Sequence, residues 1–544
     1  MLRWIRKLLR SGEHAALDAR LQAAYALHQA GELEAARSAY IEILRSQPHH
    51  APTLHLLGEA SYAVGDLRQS EAAYRTLLLV DPDNVEAFVN LGSALHALGE
   101  LEEATAAWTQ AIARDPGCAA ALTNLAVVSL ACARLDEAER WLRAAREADP
   151  ELAEVRIREG ELLVERCRPL EAAQAYREAV RLEPGSTRAH IGLGWALETA
   201  GDVDAALQCY EAAVALQPES IDARVSRASL WLSREDFARG WDEFEWRKRA
   251  PGNASVHERF SVPEWDGSPL AGRRILCYAE QGLGDQIMYA SCLPQIIEAA
   301  AHCVVDCDRR LAPLLSRAFP AATIHGGTQS DPGDWIREHQ LDLKVSLASL
   351  PRHLRRSSAA FPRHAGYLPA DPGKVARWRQ RLAELGAGRK IGLSWRGGVQ
   401  RTGRAWRSIP LDELLAVLKI EGVEFVSLQY GDEDAEIARL QEHHGVRIHC
   451  FREALEDYDE TAALICALDL TLSVCTAVIH LAGALGRPVW IMAPVKADAR
   501  YGLSGDSMPW YPSARLFRQA HFGDWPGVVE RVRDALRSFK GNGV

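Results

Sequence analysis

The sequence predicts two architectures in series, an α-helical solenoid and then an α/β region made of two parallel-sheet lobes. Three observations predict it. Pro48, Pro82, Pro116, Pro150, Pro184 and Pro218 recur every 34 residues, the length of a helix–turn–helix repeat. The period stops beyond about residue 250, and from there apolar segments of strand length alternate with helical patterns, as parallel strands joined by crossover helices do. A chain of 544 residues also exceeds what one hydrophobic core organises, so at least two domains are expected.

Taken in chain order, Met1 to Arg10 (MLRWIRKLLR) is basic and amphipathic and lacks the apolar core and small-residue cleavage site of a secretory signal. Residues 1–16 read as a capping helix, with a weak contact to anionic lipid or a membrane partner as the alternative. In register with the prolines, small residues fall at Ala24, Gly58, Gly92, Ala126, Gly160, Gly194 and Ala228, where paired helices must approach closely. Large partners stand at Tyr40, Tyr74, Trp108, Leu142, Tyr176, Tyr210 and Phe244, and turns at Gly31, Gly65, Gly99 and Gly201. This pattern resembles the tetratricopeptide repeat over residues 17–250, as six full units and a partial seventh. Such a stack leaves a concave face for an extended peptide, so a protein partner is expected. Asn90 and Asn124 are equivalent first-helix positions, read either as peptide-binding amides or as ordinary solvated residues.

Composition excludes several classes. With 48% hydrophobic residues and no long biased tract the chain is globular. A net charge of −10 argues against nucleic-acid binding. No apolar run reaches membrane-spanning length. Eleven cysteines without a C-x-x-C pair fit neither a zinc ribbon nor a disulfide framework, and a reducing cytoplasm is expected.

Residues 251–270 read as a linker ending in the turn-rich PEWDGSPL. Two lobes are then expected, 271–368 with strands at 275–280, 302–307 and 342–347, and 369–544 with strands starting near 391, 423, 469 and 488. Ligands of such sheets bind at the carboxyl ends of the strands, so the chemistry is sought in three loops. In the first, Glu280-Gln281-Gly282-Leu283-Gly284-Asp285, the glycines Gly282 and Gly284 allow close backbone approach. Asp285 is either a helix N-cap or a general base, with Glu280 as the adjacent candidate. The second loop carries Arg396, Arg401, Arg404 and Arg407 after the strand IGLSW, and its guanidinium groups suit phosphate unless they are simply solvated. The third runs from Ser473 through Cys475 and Thr476 into a small-residue helix whose N-terminus can hold phosphate. His480, one turn on, is either donor-facing or structural. Asp306-Cys307-Asp308 has metal-binding D-x-D spacing but reads as a strand end, and no metal is expected.

Together EQGLGDQI, IGLSWRGG, RSIPL, FVSLQ, SVCTAVIHLAGALGRPVW and SMPWYPSARLFRQ resemble bacterial family 9, heptosyltransferase-like glycosyltransferases fused to tetratricopeptide repeats, over roughly residues 270–540. The layout is similar to O-linked N-acetylglucosamine transferase and to repeat-bearing flagellin glycosyltransferases. The resemblance implies a GT-B fold of two Rossmann-like lobes, with acceptor in the first and donor in the second, and a final helix, Trp525 to Phe539, that is a candidate to cross back. It implies inverting, metal-independent transfer, with Asp285 as catalytic residue. Glu280, Gly282 and Gly284 fall on the acceptor side, and Arg396, Arg407, Gln429, Ser473, Cys475, Thr476 and His480 on the donor side. One departure stands out: the family reads S-V-D-T where this chain has Ser473-Val474-Cys475-Thr476, losing a carboxylate.

The expected function is transfer of a sugar from a nucleotide sugar, used as co-substrate with no cofactor, to Ser or Thr of a protein held by the repeats. Flagellin is the first-choice acceptor. A lipopolysaccharide-type transferase and a non-catalytic repeat adaptor are the alternatives.

Overall fold

The computed structural model describes residues 15–327, 335–398 and 406–540. Residues 1–14, most of the expected capping helix, and Arg401 and Arg404 lie outside the described residues. The chain divides into two compact units, Met1–Arg166 with Gln174–Pro184, and Cys167–Ala173 with Gly185–Val544.

Paired helices run from Ala15–Gln29 to Phe237–Phe244. The small-to-large pattern has a steric cause. A Cβ placed on Gly58 would lie 2.5 Å from the Tyr74 ring, on Gly92 2.4 Å from Trp108, on Gly160 2.6 Å from Tyr176 and on Gly194 2.6 Å from Tyr210. Each aromatic ring therefore rests on the backbone of the preceding helix, in space that only glycine leaves open. Between the helices of a pair the chain turns through positive φ at Gly31, Gly65, Gly99 and Gly201, and at the same register Ala133, Cys167 and Glu235 take φ of 57°, 58° and 60°. The repeat geometry imposes this conformation even on residues with a side chain.

Where a linker was expected, a 3-10 turn at Glu245–Arg249 leads directly into the helix Pro251–Glu258. Two wholly parallel sheets follow. The first contains β1 (Arg274–Tyr278), β2 (His302–Asp308), β3 (Thr323–Gly327) and β4 (Leu343–Ser346), in the order 3-2-1-4. The second contains β5 (Arg389–Ser394), β6 (Val423–Ser427), β7 (Ile448–His449), β8 (Leu470–Val474), β9 (Val489–Ala493) and β10 (Ala514–Arg518), in the order 10-9-8-5-6-7. Strand order reverses between β5 and β8, where Ser394 lies beside Ser473, so a ligand crevice belongs at their carboxyl ends.

Side chains alternate across the second sheet. Ile391, Leu393, Leu470, Leu472 and Met492 face a core closed by Val528, Val529, Val532 and Leu536 of the helix Trp525–Ser538. Val426, Val489 and Ile491 face the opposite core, which continues to Ile275 and Cys277 of β1 and to Phe237 and Trp241 of the last helix pair. The final helix thus packs on the second sheet. It does not cross to the first, because its apolar face is spent on β5, β8 and β9 and Arg389 donates to its Leu536 carbonyl at 2.7 Å.

Candidate functional site

A cavity of about 630 Å³ opens at the carboxyl ends of the strands, within the range of small-molecule sites. Its walls include Gly282, Gly284 and Asp285 from the loop after β1, Arg396 and Arg407 from the segment after β5, Gln429 and Tyr430 after β6, and Cys475 and Thr476 after β8. The strand ends bring together residues spread over some two hundred positions.

Asp285 is not the N-cap. Gly282 occupies that position with no side-chain cap, and Asp285 is the third residue of the helix Leu283–Ala290. Its carboxylate makes an ion pair of 2.6 Å with Arg500. Arg500 sits in the 3-10 turn Ala499–Tyr501 and donates through Nε and Nη2 to the two carboxylate oxygens of Asp498, at 2.8 and 3.1 Å. Burial alone would lower the Arg500 pKa, but Asp285 and Asp498 hold it well above its ordinary value. Asp498 in turn is held at about 2, its burial outweighed by Arg500. Neither residue carries a motif, and sequence reading missed both.

His480 does not line the cavity. It is buried, and burial first, then Arg500, pushes its pKa well below the usual histidine value. Arg500 Nη1 lies 3.3 Å from its Nε2. Since a guanidinium only donates, Nε2 accepts, and Nδ1 carries the proton shared with the Tyr511 hydroxyl at 3.1 Å. His480 therefore positions Arg500. Gly284 exists for the same packing, because a Cβ there would meet the His480 ring at 2.8 Å.

Glu280 is also drawn away from the cavity. Its side chain is 1% exposed and pairs with Arg247 at 2.6 Å and His257 at 2.6 Å. Burial alone would raise its pKa, but Arg247 and then His257 bring it to about 2. This carboxylate ties the end of the last helix pair to β1 and is sealed from any acceptor.

On the second lobe Gln429 acts as a clamp. Its Oε1 accepts from the Ser394 hydroxyl at 3.2 Å, the Trp395 amide at 3.0 Å and the Arg396 amide at 2.8 Å, while Nε2 donates to the Tyr430 carbonyl at 3.1 Å. It fixes the chain carrying Arg396, whose Nη2 donates to the Asp432 carbonyl at 3.0 Å. Arg407 donates to the Cys475 carbonyl at 2.8 Å, joining the second loop to the third. Thr476 stands at the N-cap position of the helix Ala477–Ala484 with no side-chain cap bond, and Ala477 and Val478 of its first turn line the cavity. Ser473 is fully buried behind it, its Oγ 3.0 Å from that of Thr476. The Cys475 thiol is buried, and burial raises its pKa, which keeps it protonated and a poor nucleophile.

Asp306 and Asp308 are each engaged, Asp306 by the Arg259 guanidinium and the His325 ring and Asp308 by the Arg310 guanidinium. No group of three or more metal-binding side chains occurs among the described residues. Among them, too, no helix is long and apolar enough to cross a membrane. In the repeats, Asn90 and Asn124 are half-buried on the first helices of their pairs, and Asn90 hydrogen-bonds the Tyr74 hydroxyl.

Residues 55–108, 157–221 and 197–254 match one tetratricopeptide repeat family, and residues 95–157 a second. The N-terminal part is a tetratricopeptide-repeat array. The chain is similar to Protein FlbA of Caulobacter vibrioides, 35% identical over 332 residues, covering 58% of this chain and 55% of FlbA. The chain thus spans about half the length of that relative. An alignment of that length exceeds the 254 residues up to the end of the last matched repeat, so it reaches into the α/β region. Among solved structures, similar chains include Pseudomonas aeruginosa PilF (21% identity, TM-score 0.34, 39% of this chain and 97% of that one) and the yeast Tom70 (19%, 0.36, 45% and 53%).

Proposed function

We propose that the chain is a GT-B glycosyltransferase that moves a sugar from a nucleotide sugar to a Ser or Thr hydroxyl of a polypeptide recruited by the repeats. One observation carries this reading. Asp285 from the first lobe, and Arg396, Arg407 and the helix N-terminus after Thr476 from the second, line a single cavity at the carboxyl ends of parallel strands.

The acceptor hydroxyl attacks the anomeric carbon and passes its proton to the Asp285 carboxylate. The bond from that carbon to the donor's phosphate oxygen breaks, and the nucleotide leaves with the electron pair. Its charge is met by Arg396, Arg407 and the backbone amides that follow Thr476. Attack from the face opposite the leaving group inverts the anomeric centre. Tyr430, 39% exposed, stacks with Tyr458 at 6.3 Å between ring centroids and offers a face to a nucleobase. Ser473 and His480 support the site from behind, and Gln429 in its wall holds the segment that carries Arg396. Flagellin as acceptor rests on the resemblance to repeat-bearing flagellin glycosyltransferases.

A second reading, a repeat adaptor with a decayed transferase region, is favoured by the Arg500 ion pair on Asp285 and by Cys475 in place of a carboxylate. Nucleotide release separates the two. Purified chain is incubated with flagellin and a panel of UDP-, GDP- and CMP-sugars. Release that falls by about a hundred-fold in Asp285→Ala supports general-base transfer. Flagellin binding without release from any donor selects the adaptor.

A further inference from the structure

The structure holds a second cavity, of about 250 Å³, lined by Leu232, Phe237, Trp241 and Phe244 of the last helix pair and by Tyr289 and Trp510. Among the described residues it shares three lining residues with the larger cavity: Asp285, Asp498 and Arg500. The ion-paired triad is therefore the partition between an arginine-bearing cavity and an aromatic chamber on the side of the last repeat.

We propose that Arg500 is a ligand for the donor's phosphate that blocks Asp285 until the donor arrives, so that donor binding both frees the carboxylate and joins the two cavities for an acceptor residue entering through the aromatic chamber. This rests on the reading of the larger cavity as the nucleotide-sugar site and adds the order of binding to it.

Three observations carry the proposal. Arg500 has two carboxylate partners, but only Asp498 engages it in the two-pronged fashion, through Nε and Nη2. Asp285 adds a single contact at Nη2. An arriving phosphate therefore competes with Asp285 alone, and Asp498 keeps the guanidinium in place when that contact is given up. The third nitrogen, Nη1, is held by the neutral His480, so the side chain is steered on its far side by a partner that does not neutralise it. Finally, Arg500 side-chain exposure is 15% and that of Asp285 20%, so both open to the cavity while screened enough for one charge to govern the other. While the guanidinium holds its oxygen, the Asp285 carboxylate is not offered to an acceptor hydroxyl, and giving up that contact to the donor's anion frees it.

Inorganic pyrophosphate is the probe, titrated calorimetrically into full-length wild type, Asp285→Asn, Arg500→Gln and the double variant, each checked for wild-type melting behaviour. If anion and carboxylate compete for one guanidinium, Asp285→Asn tightens binding by about ten-fold, Arg500→Gln weakens it by about ten-fold, and Asp285→Asn has almost no effect when Arg500 is absent. Equal tightening by Asp285→Asn in both backgrounds would mean simple loss of a negative charge and would overturn the proposal. Unchanged binding in Arg500→Gln would overturn it too. Arg500→Lys serves if the glutamine variant misfolds, and must then retain part of the coupling. Absence of pyrophosphate binding in wild type rejects the donor-site reading itself, whereas binding without coupling rejects only the role of Arg500.

Discussion

Gly284 and Gln429 show how single residues shape the cavity wall. A methyl group at Gly284 would press on the His480 ring at 2.8 Å and on the Ala477 Cα at 3.4 Å. Gly284→Ala is expected to part the two helices, lower stability by about 1–3 kcal/mol and displace Asp285, read as a lower melting temperature together with a lower turnover. Gln429→Ala leaves the amides of Trp395 and Arg396 without their shared acceptor. It is expected to cost about 1–3 kcal/mol and, on the proposed function, to raise KM for the donor more than it lowers kcat, because the lost support lies under the segment proposed to bind phosphate. At this scale the sequence is legible where a residue sits in a strand-end motif, as Asp285, Arg396, Arg407 and Thr476 do. Arg500 and Asp498 were invisible because they lie in an irregular turn after β9, and only the folded chain sets them beside Asp285. Glu280 misled for the opposite reason: it stands in the right loop, but alternation turns it toward Arg247.

The elements follow the period that the prolines announce, and their weak points are the turns that break the glycine pattern. Ala133 and Glu235 hold φ of 57° and 60° at the register where Gly31, Gly65, Gly99 and Gly201 hold 82° to 92°. A side chain in this region costs roughly 1 kcal/mol. Ala133→Gly and Glu235→Gly are each expected to raise stability by several tenths of a kcal/mol, part of the relief being offset by the greater freedom of glycine in the unfolded chain. Denaturant titration checks this, and Gly99→Ala should shift the midpoint the other way. The helix Pro251–Glu258 escaped the sequence reading because eight residues with little amphipathic pattern look like a linker. What makes it a helix is tertiary, as its His257 lies against Tyr278 at 2.7 Å and Glu280 at 2.6 Å.

At the scale of the molecule, the buried cluster of Arg247, His257 and Glu280 joins the last helix pair to the first sheet within one compact unit. Glu280 is held at about 2, against roughly 4.3 in an unfolded chain. Its carboxylate therefore contributes stability that is fully present above that unfolded value and is lost as pH falls toward 2, an effect of roughly 3 kcal/mol. Glu280→Gln is expected to melt well below wild type at pH 7, with the gap narrowing on acidification from about pH 4.5; a gap independent of pH contradicts this. The division into repeats and parallel sheets was legible because a period of 34, and apolar segments of strand length alternating with helical patterns, can be read along the chain. The path of the final helix was not, since either sheet offers an apolar face and only the packing on β5, β8 and β9 decides between them.

The proposed transferase needs its repeats to bring a polypeptide to a glycosyl-transferring cavity whose base is Asp285. Intact mass of proteins co-purified with the wild-type chain and with Asp285→Ala, from a cell making its own nucleotide sugars, tests it most directly. The expected result is a partner that gains the mass of one or more sugars with wild type and binds unmodified to Asp285→Ala. A partner bound but unmodified by both forms would contradict it.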